Sequence, residues 1–539
     1  MGAPLEHSLA RQSAWSRFGP WLAGFYLICA LLFVQWGARG LPERDGYYHA
    51  RFANLLPEYG VSRHFHWTQA STWKDQYCDK EFLYHVFLAP FARNASDPVS
   101  GVRFAALILS CAVFGALFWI LKKNGARWPV FFALLPLGMG GPFLLRVLMI
   151  RSHVLSIVLL LLGLHFLLQR RWRWLLALGF IYAWSYTVPL ALVLTAIPFV
   201  AGAWLKARSQ TLAPGQTPAG FDWKSPAAAL AGVVLGLAIH PYSPQTLETF
   251  LTLVQVMEIG SHRTQTALEL GGEIYAFRPV DFLRLLPLYY LSLLAAAGLA
   301  AHSWRKMRAG SVGALCAALF WFGMSLFYGR FIEYGAPAVA LALGLLASDA
   351  EILAPAASRR AGLYARAMAV MLLCFGQIST LAFAHRDTLA ADPPRFRGAA
   401  AWMAANLKPG ETVAHLWWEE FPDLFYAAYR QNFVWGLDPT FTLRYNPAIA
   451  QRLEDMRLKR VPLNPHWLAR TLHARVLAMG HAQALRYPEL TCGQWNPVYA
   501  DRSAVIFALT GPHGPPETFK LPARLEPLPA FAPCSLPLN

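Results

Sequence analysis

The sequence has few charged residues. Only 14% of its 539 residues are Asp, Glu, Lys or Arg, whereas 56% are hydrophobic and the mean hydropathy is +0.35. An average soluble domain has about 25% charged residues, and a membrane-spanning helix needs about 20 consecutive, mostly apolar residues. Apolar runs of roughly that length recur from Trp21 to Ala384. The composition therefore excludes an ordinary soluble protein and predicts a chain embedded mostly in a membrane.

The sequence also lacks the motifs of several common protein classes. Its seven cysteines and 16 histidines show no zinc-binding spacing, and it has neither a glycine-rich phosphate loop nor a Gly-x-Ser-x-Gly elbow. Four of the cysteines fall in the apolar runs. Cys492 and Cys534 lie in the C-terminal tail, where they either form a disulfide or are two separate thiols. No familiar soluble enzyme class is indicated.

The apolar runs predict about eleven membrane-spanning helices. A basic stretch with Arg11 and Arg17 precedes the first run, which has no small-residue cleavage site and is expected to remain as an anchor. Pro189 and its polar neighbours favour a turn, so residues 172–205 are divided into two spans. The predicted spans are Pro20–Ala38, Val102–Leu121, Trp128–Leu145, Val154–Gln169, Trp174–Tyr186, Pro189–Leu205, Pro226–Ile239, Val280–His302, Val312–Phe327, Ile332–Ala347 and Tyr364–Phe383.

The basic residues predict the orientation of the chain. If the N-terminus is cytoplasmic, every strongly basic loop falls on the cytoplasmic side, as the positive-inside rule requires. Much of the net charge of +17 is this topology signal, and basic residues scattered over membrane loops predict no nucleic-acid partner. We expect a bacterial inner membrane with the tail on the periplasmic or extracellular side. The basic clusters are Lys122-Lys123-Arg127, Arg170-Arg171-Arg173, Lys206-Arg208, Arg305-Lys306-Arg308 and Arg359-Arg360-Arg366.

The predicted topology divides the chain into two domains. Residues 1–384 form a transmembrane domain, and residues 385–539 are polar and long enough for a separate extracytoplasmic domain. The predicted fold class is an α-helical polytopic membrane protein with a C-terminal α/β domain. Besides the tail, the outward segments are 39–101, 146–153 and 240–279.

The first outward loop, residues 39–101, begins with a carboxylate-rich segment. The stretch Tyr47–Leu56 has the apolar spacing of a helix that lies along a membrane surface. Asp45 precedes this helix and is either the cap of its free backbone N–H groups or a functional base or metal ligand. His49 lies one turn later on the same face, and Glu43 lies two residues earlier. Asp45, Glu43 and His49 are therefore candidate catalytic residues.

Acids and histidines continue along the same loop. Glu81 and His85 are four residues apart, a spacing that places both on one face of a helix. One histidine alone is more often structural than a ligand. Seven acids and four histidines between Glu43 and Asp97, however, form the densest ionisable patch next to the membrane. Glu81 joins the catalytic candidates.

Several basic residues lie on the predicted outer side, against the topology bias, and therefore need a partner or an anionic ligand. Arg146, Arg151 and His153 belong to a short outward turn, and Arg330 begins another outward stretch. Arg330 either pairs with Glu333 at three-residue spacing or joins the other basic residues in binding the phosphate of a lipid-linked substrate.

These features resemble the GT-C glycosyltransferases, polytopic membrane enzymes that transfer a sugar from a polyprenyl-phosphate carrier. The resemblance rests on the retained first span, the segment ERDGYYHARFANLL at residues 43–56, the many spans and the outward tail. In that superfamily an acid of the first outward loop is required for catalysis, and Asp45 is the matching position.

The tail carries the second part of the resemblance. The segment VAHLWWEEFPD at residues 413–423 is similar to the Trp-Trp-Asp strand and turn of the oligosaccharyltransferase catalytic subunit. Residues 399–410 resemble the helix and turn that lead into it, and residues 436–440 are similar to a segment in bacterial membrane proteins of this type. Trp417, Trp418 and Glu419 are candidates for acceptor binding, and the alternative for the aromatic rings is an ordinary core.

Two departures limit the resemblance. Oligosaccharyltransferase has a second acidic motif in its second outward loop, where this chain has Arg151-Ser152-His153 and no acid. The Trp-Trp-Asp-Tyr-Gly pattern is replaced by residues 417–421, Trp-Trp-Glu-Glu-Phe, so recognition of an Asn-x-Ser/Thr acceptor is not expected. Glu273 is the candidate for that enzyme's later catalytic-loop Glu.

The predicted function is transfer of a sugar from a polyprenyl-phosphate donor in the lipid bilayer to a glycan or lipid acceptor on the outer face. The four basic residues of the outward turns would bind the donor phosphate. Asp45, helped by Glu43 or His49, would take the proton of the acceptor hydroxyl or hold a divalent cation, Mg²⁺ or Mn²⁺. No other cofactor is expected.

Two alternatives stay open. A transporter or flippase predicts charged residues inside the spans and repeated halves, but the spans have almost no acids and no repeat is found. A non-catalytic scaffold or assembly factor is favoured by the missing second acidic motif. Convergence of Asp45, Glu81, Arg146, Arg151 and Arg330 in one outward cavity would favour the enzyme, and their dispersal would favour the scaffold.

Overall fold

The computed structural model describes residues 3–94, 96–209, 220–261, 275–351, 359–491 and 495–509. Glu273, Cys492 and Cys534 lie outside the described residues. The α-helices are α1 (Ala3–Trp36), α2 (Asp45–Tyr59), α3 (Trp73–Gln76), α4 (Phe82–Leu88), α5 (Pro98–Lys123), α6 (Pro129–Leu134), α7 (Gly141–Leu148), α8 (His153–Leu168), α9 (Trp172–Ser185), α10 (Ala191–Arg208), α11 (Lys224–Ala238), α12 (Gln245–Ser261), α13 (Pro279–Leu285), α14 (Pro287–His302), α15 (Ala309–Phe327), α16 (Ile332–Glu351), α17 (Arg359–Leu389), α18 (Arg397–Asn406), α19 (Phe421–Ala428), α20 (Pro439–Tyr445), α21 (Pro447–Arg457), α22 (Pro465–Leu472) and α23 (His481–Ala484). The strands are β1 (Thr412–Ala414), β2 (Asn432–Phe433), β3 (Ala474–Gly480), β4 (Asn496–Ala500) and β5 (Ala504–Ala508).

The chain is an integral membrane protein. Within the described residues, six helical segments are long and apolar enough to cross a membrane. Two bent pairs, α6 with α7 and α13 with α14, add up to two more candidate spans, with bends of 98° and 81°. The six segments are Phe18–Trp36, Pro98–Lys123, Ala191–Arg208, Ala309–Phe327, Gly329–Ala350 and Arg366–Leu389.

The prediction of eleven spans is not confirmed. Helices α8, α9 and α11 match three of the predicted spans but have only 16, 14 and 15 residues. Hydropathy locates an apolar helix, but it does not reveal that the helix is short or bent. The predicted break near Pro189 is confirmed, because α9 ends at Ser185 and α10 begins at Ala191.

The basic ends of the helices lie together at one end of the bundle. Nη1 of Arg308 donates to the carbonyl oxygen of Asn124 at 2.9 Å, and its Nε lies 2.6 Å from Asp349. The indole N–H of Trp304 donates to Ser209 at 3.1 Å. Loops that the sequence assigns to one side of the membrane are therefore neighbours in space, as that assignment requires.

The tail contains a five-stranded sheet with the order β2-β1-β3-β5-β4. Strand β1 is parallel to β2 and β3, whereas β5 is antiparallel to β3 and β4. In β3, Val476 and Ala478 belong to one hydrophobic cluster, and Leu477 and Met479 belong to another. Both faces of the sheet are thus covered, which explains the nearly continuous apolar sequence of β3. Helix α18 followed by β1 confirms the predicted helix, turn and strand.

Helix α2 of the first loop belongs to the core of the tail. Its apolar residues Tyr48, Phe52 and Leu56 share one hydrophobic cluster with Phe421 and Phe425 of α19. Phe52 is fully buried, and burying such a side chain stabilises by about 1.5–3 kcal/mol. The helix was predicted to lie along the membrane surface, but the structure packs its apolar face against the tail.

Residues 67–70 of the first loop extend the tail's sheet. The carbonyl oxygen of Trp67 accepts from the N–H of Phe433 at 2.7 Å, and the N–H of Gln69 donates to the carbonyl oxygen of Phe433 at 2.8 Å. The N–H of Ala70 donates to Val434 at 2.7 Å. This segment therefore runs beside β2 as a short parallel edge strand, and the first loop and the tail share both a core and a sheet.

Candidate active site

A cavity of about 420 Å³ lies between the first loop, the membrane helices and the tail. It gathers most of the candidate residues that the sequence indicated, although these come from distant parts of the chain. Arg146 and Trp417 are not among the residues that line it. The candidates that do are Glu43, Asp45, His49, Glu81, Arg151, His153, Arg330, Trp418 and Glu419.

Glu43, rather than Asp45, caps helix α2. Its Oε1 accepts from the backbone N–H of Asp45 at 2.8 Å, and its Oε2 accepts from Gly46 at 3.2 Å. The Asp45 carboxylate pairs with the guanidinium of Arg151, which also lies 2.9 Å from Glu43. Asp45 is the most exposed of the three side chains, at 28%. One guanidinium thus joins two carboxylates, and Asp45 is the one best placed to meet a ligand.

The tail positions the residue that precedes Asp45. Asp423 of α19 is fully buried and pairs with Arg44 at 3.3 Å. It also accepts from the backbone N–H of Arg395 at 3.2 Å. Because α19 directly follows the Trp-Trp-Glu-Glu segment, this motif and the loop that bears Asp45 are held together.

His49 and His85 form a buried polar chain that ends at Asp79. Nδ1 of His85 lies 2.9 Å from both carboxylate oxygens of Asp79, and its Nε2 lies 2.9 Å from Nδ1 of His49. The three residues are only 5%, 1% and 2% exposed. Burial lowers the pKa of His49 well below its usual value, more than the nearby Glu81 raises it. Because a carboxylate only accepts, Nδ1 of His85 donates to Asp79, which leaves its Nε2 facing His49.

Glu81 lies beside this chain. Its Oε2 is 3.7 Å from Nδ1 of His49, and its Oε1 accepts from the hydroxyl of Thr187 at 2.9 Å. Burial alone would raise the pKa of Glu81, but the basic groups around it and a hydrogen bond from Ser152 hold the pKa below its usual value. Glu81 precedes α4 instead of sharing that helix with His85, although the His85 N–H bonds to the Glu81 carbonyl oxygen at 3.0 Å.

Arg146 lies in α7 and not in the predicted turn. Its Nε and Nη2 lie 2.8 and 2.7 Å from Oε2 of Glu333 in α16, and both side chains are buried. His153, which lines the cavity, bonds through Nε2 to the Arg146 carbonyl oxygen at 2.8 Å. The charge of Arg146 is therefore neutralised inside the protein, and we remove Arg146 from the phosphate-binding set.

Arg330 lines the cavity next to this ion pair. Its Nη2 donates to the hydroxyl of Tyr186 at 3.2 Å, and that hydroxyl donates to Oε1 of Glu333 at 3.3 Å. Arg330 is thus connected to Glu333 through Tyr186. Together with Arg151 it places two guanidinium groups where the membrane helices meet the cavity.

The two tryptophans of the tail motif have different surroundings. Trp418 is 8% exposed and lines the cavity, as does the exposed Glu419. Trp417 instead lies against the guanidinium groups of Arg457 and Arg486, 5.0 and 4.7 Å from its ring centroid. The ring of Trp417 therefore packs inside the tail, as in an ordinary protein core. Of the three motif residues predicted to bind the acceptor, Trp418 and Glu419 are the two placed to contact a ligand.

The lining also contains polar residues that were not among the predicted site residues, such as Lys80, Tyr186, Thr187 and Asp438. Tyr186 and Thr187 lie in the polar break that marked the turn before Pro189, and that polarity was the available signal. Asp438 lies in the 436–440 segment of the resemblance, where its side chain caps α20 by accepting from the N–H of Thr440 at 2.8 Å.

The lining of the cavity is acidic overall. With neutral histidines, its formal charge is −2. The carboxylates are Glu43, Asp45, Asp79, Glu81, Glu419 and Asp438, and the basic side chains are Arg44, Lys80, Arg151 and Arg330. An anionic ligand must therefore bind at the guanidinium groups or with a cation.

Solved structures match the fold of the chain. The apo oligosaccharyltransferase of Archaeoglobus fulgidus matches with a TM-score of 0.59 and 12% identity, over 92% of this chain and 75% of that chain. The archaeal oligosaccharyltransferase AglB from the same organism, in complex with an inhibitory peptide and a dolichol-phosphate, matches with the same values. ArnT from Cupriavidus metallidurans matches with a TM-score of 0.53 and 15% identity, over 92% of this chain and 98% of that chain.

The chain therefore has the fold of the GT-C glycosyltransferases, which confirms the resemblance found in the sequence. At these identities the likeness concerns the fold. No family model matches the sequence, and no curated protein matches it.

Proposed function

We propose that the chain is a membrane glycosyltransferase that moves a sugar from a polyprenyl-phosphate donor to a glycan or lipid acceptor. The observation that carries the proposal is the single cavity in which Asp45, Arg151 and Arg330 meet between the membrane helices and the tail. The similar fold of AglB, solved with a dolichol-phosphate, supports a lipid-linked donor. The basic loops at the opposite end of the bundle favour an extracytoplasmic site, and we propose the inner membrane of a bacterium.

The donor phosphate would bind at the membrane side of the cavity. Arg151 lies between α7 and α8, and Arg330 lies just before α16, so both are near helix ends. A guanidinium matches the geometry of a phosphate and stabilises the charge that develops on the leaving group. His153 lies at the start of α8 in the same lining.

The acceptor would react next to Asp45. The acceptor hydroxyl oxygen forms the new bond to the anomeric carbon of the sugar, and the bond from that carbon to the phosphate oxygen breaks. The polyprenyl phosphate leaves with the electron pair, and the proton of the hydroxyl passes to the Asp45 carboxylate, which Arg151 orients. Trp418 and Glu419 lie on the tail side, where an acceptor sugar would stack and form hydrogen bonds.

We do not place Mg²⁺ or Mn²⁺ at Asp45. Such ions need several oxygen ligands, but Asp45 and Glu43 share the Arg151 guanidinium. The oxygens of Glu43 also accept two backbone N–H groups. The guanidinium of Arg151 is therefore already the cation that pairs with these two carboxylates.

The second candidate function is a non-catalytic scaffold. The observation that favours it is the same Arg151, which stands where oligosaccharyltransferase has an acid and which engages the proposed base. A scaffold needs the fold of the cavity but not the chemistry of Asp45. A scaffold would release no polyprenyl phosphate even as the wild-type protein, whereas an enzyme would release it and lose this activity when Asp45 is substituted.

The experiment is a comparison of Asp45→Asn with Asp75→Asn in the purified protein. Asp75 lies in the same loop, is 67% exposed and does not line the cavity. A panel of synthetic polyprenyl-phosphate sugars is incubated with a membrane-lipid extract as acceptor, and mass spectrometry follows the release of polyprenyl phosphate. Asp45→Asn should lower the rate by about 10²–10⁴-fold or more, because the base is lost. Asp75→Asn should keep the wild-type rate. Full activity of Asp45→Asn would exclude Asp45 as the base.

A further inference from the structure

We propose that His49, His85 and Glu81 form a binding site for one divalent transition-metal ion of the zinc class. One ligand atom from each of the three side chains lies within 4.8 Å of the other two. Nδ1 of His49 is 2.9 Å from Nε2 of His85 and 3.7 Å from Oε2 of Glu81. All three residues line the cavity.

These separations fit a single ion. Zinc binds imidazole nitrogen at about 2.0–2.1 Å and carboxylate oxygen at about 2.0–2.2 Å, so two ligands at a tetrahedral angle are roughly 3.3 Å apart. The observed separations of 2.9 and 3.7 Å lie on either side of that value. Shifts of less than about 1 Å would complete the coordination.

Asp79 supplies the outer support that a metal-binding histidine needs. Ligating histidines almost always donate their second ring N–H to a carboxylate or carbonyl, which fixes the tautomer and the ring orientation. Nδ1 of His85 donates to Asp79 at 2.9 Å, which leaves Nε2, the nitrogen that faces His49, as the ligand atom. Coordination by His49 through Nδ1 requires its proton to lie on Nε2. The ion would lie between the two rings and replace the hydrogen bond that joins them.

The donor set selects the kind of metal. Two imidazoles and one carboxylate suit zinc and related transition metals, whereas Mg²⁺ and Ca²⁺ prefer oxygen ligands alone. Three protein ligands leave a fourth position for water or a ligand oxygen, as in catalytic zinc sites. A divalent ion would also cancel the −2 formal charge of the lining.

The test measures metal binding and needs no sugar transfer. The full-length protein is purified in detergent, stripped with a chelator and titrated with Zn²⁺, Co²⁺ and Mg²⁺, with metal content and the visible spectrum of Co²⁺ as readouts. We expect one Zn²⁺ per chain, a tetrahedral Co²⁺ spectrum and no Mg²⁺ bound at matching concentrations. His49→Gln, His85→Gln and Glu81→Gln should each lose this binding, and Asp79→Asn should weaken it by about 10–100-fold.

The matched control is His64→Gln. His64 belongs to the same loop and lies 3.7 Å from Asp75, but its side chain is 73% exposed and does not line the cavity. Its substitution should leave zinc binding unchanged. Equal loss in His64→Gln and His85→Gln, or no stoichiometric zinc in the stripped wild-type protein, overturns the proposal.

The melting temperature of the wild-type protein gives a second measure of zinc binding, which does not depend on whether the variants fold well. Zinc should raise the melting temperature of the wild-type protein in a concentration-dependent way, because it binds only the folded site. A wild-type melting temperature that zinc leaves unchanged also overturns the proposal. If the protein binds zinc but transfers no sugar, the metal site is supported and the proposed glycosyltransferase function is overturned. If it transfers sugar but binds no zinc, the function is supported and the metal site is overturned.

Discussion

At the scale of single residues, Arg146 and Glu333 form a buried ion pair between α7 and α16, at 6% and 0% exposure. Removing one member of such a pair leaves an uncompensated buried charge and costs about 3–5 kcal/mol, whereas an apolar replacement of both can be nearly neutral. Arg146→Met should therefore lower the melting temperature of the detergent-solubilised protein strongly.

The double variant Arg146→Met, Glu333→Leu should recover most of that loss. The control is Arg278→Met, because Arg278 is 85% exposed and its pair with Asp281 is solvated. If the melting temperatures of Arg146→Met and Arg278→Met are the same, the Arg146 pair has no structural role.

Glu420 makes the stability of the tail depend on pH. The residue is 1% exposed and accepts from the N–H of Gly480 at 2.8 Å, and burial raises its pKa from 4.5 to about 8. Between these two pH values the folded chain keeps a proton that the unfolded chain has lost. This contribution to stability is complete below about pH 4.5 and is lost as the pH rises through about 8.

Glu420→Gln should remove this dependence, because an amide accepts the same hydrogen bond without a charge. We expect the variant to melt near the wild-type temperature at about pH 5 and several degrees above it at about pH 9. Thermal unfolding at the two pH values is the measurement. A constant difference between the two proteins would show that Glu420 does not titrate in this range.

The contacts of individual side chains were the hardest feature to predict from the sequence. The acidic patch and Asp45 were predicted, but the choice of Glu43 as helix cap depends on which of two neighbouring carboxylates points back along α2. Asp79, His85 and His49 meet only because the loop folds back on itself, and the spacing of 49, 79 and 85 contains no zinc motif. Arg146 pairs with a residue 187 positions away, which local spacing cannot show.

At the scale of elements, the edge strand at residues 67–70 fixes the first loop to the tail. Gln69→Pro removes the N–H that donates to Phe433 at 2.8 Å and should destabilise this junction by about 1–3 kcal/mol. Gln69→Ala keeps the backbone donor and is the control. Limited proteolysis should cleave the loop faster in the proline variant only, and equal protection of both variants would contradict the strand.

Periodicity predicted most elements but not their partners. The pattern of Tyr48, Phe52 and Leu56 correctly indicated a helix with one apolar face. A 3.6-residue period of apolar residues indicates that one face of the helix is buried. It does not indicate whether lipid or protein covers that face. The same limit applies to the spans. The bends of 98° and 81° arise at a break that contains Gly140 and at a break directly before Pro287, and both leave the mean hydropathy high.

At the scale of the whole molecule, the orientation can be tested by labelling. Val61 in the first loop is 51% exposed, and Arg305 is exposed at the basic end. In intact cells, a membrane-impermeant maleimide should label Val61→Cys at once and Arg305→Cys only after permeabilisation. The unsubstituted chain controls for the native cysteines. The reverse pattern would invert the proposed topology.

The convergence of the candidate residues agrees with the proposed topology. Asp45, Glu81, Arg151 and Arg330 were grouped because alternate loops leave the membrane on one side, and all four line the same cavity. A one-dimensional charge pattern is sufficient to assign a side of the membrane. It contains no distances within that side, so the shared Arg151, the buried Arg146 and the packing of Trp417 had to come from the fold.

The strand shared by loop and tail also has a consequence for biosynthesis. Trp67 is separated by 362 residues from Tyr429, whose carbonyl oxygen accepts its indole N–H. At typical translation rates of about 5–20 residues per second, roughly 20–70 s pass between the synthesis of the two partners. Throughout that interval the loop has neither its neighbouring strand nor the aromatic cluster that covers α2. The first loop can therefore reach its final packing only after the tail has been synthesised.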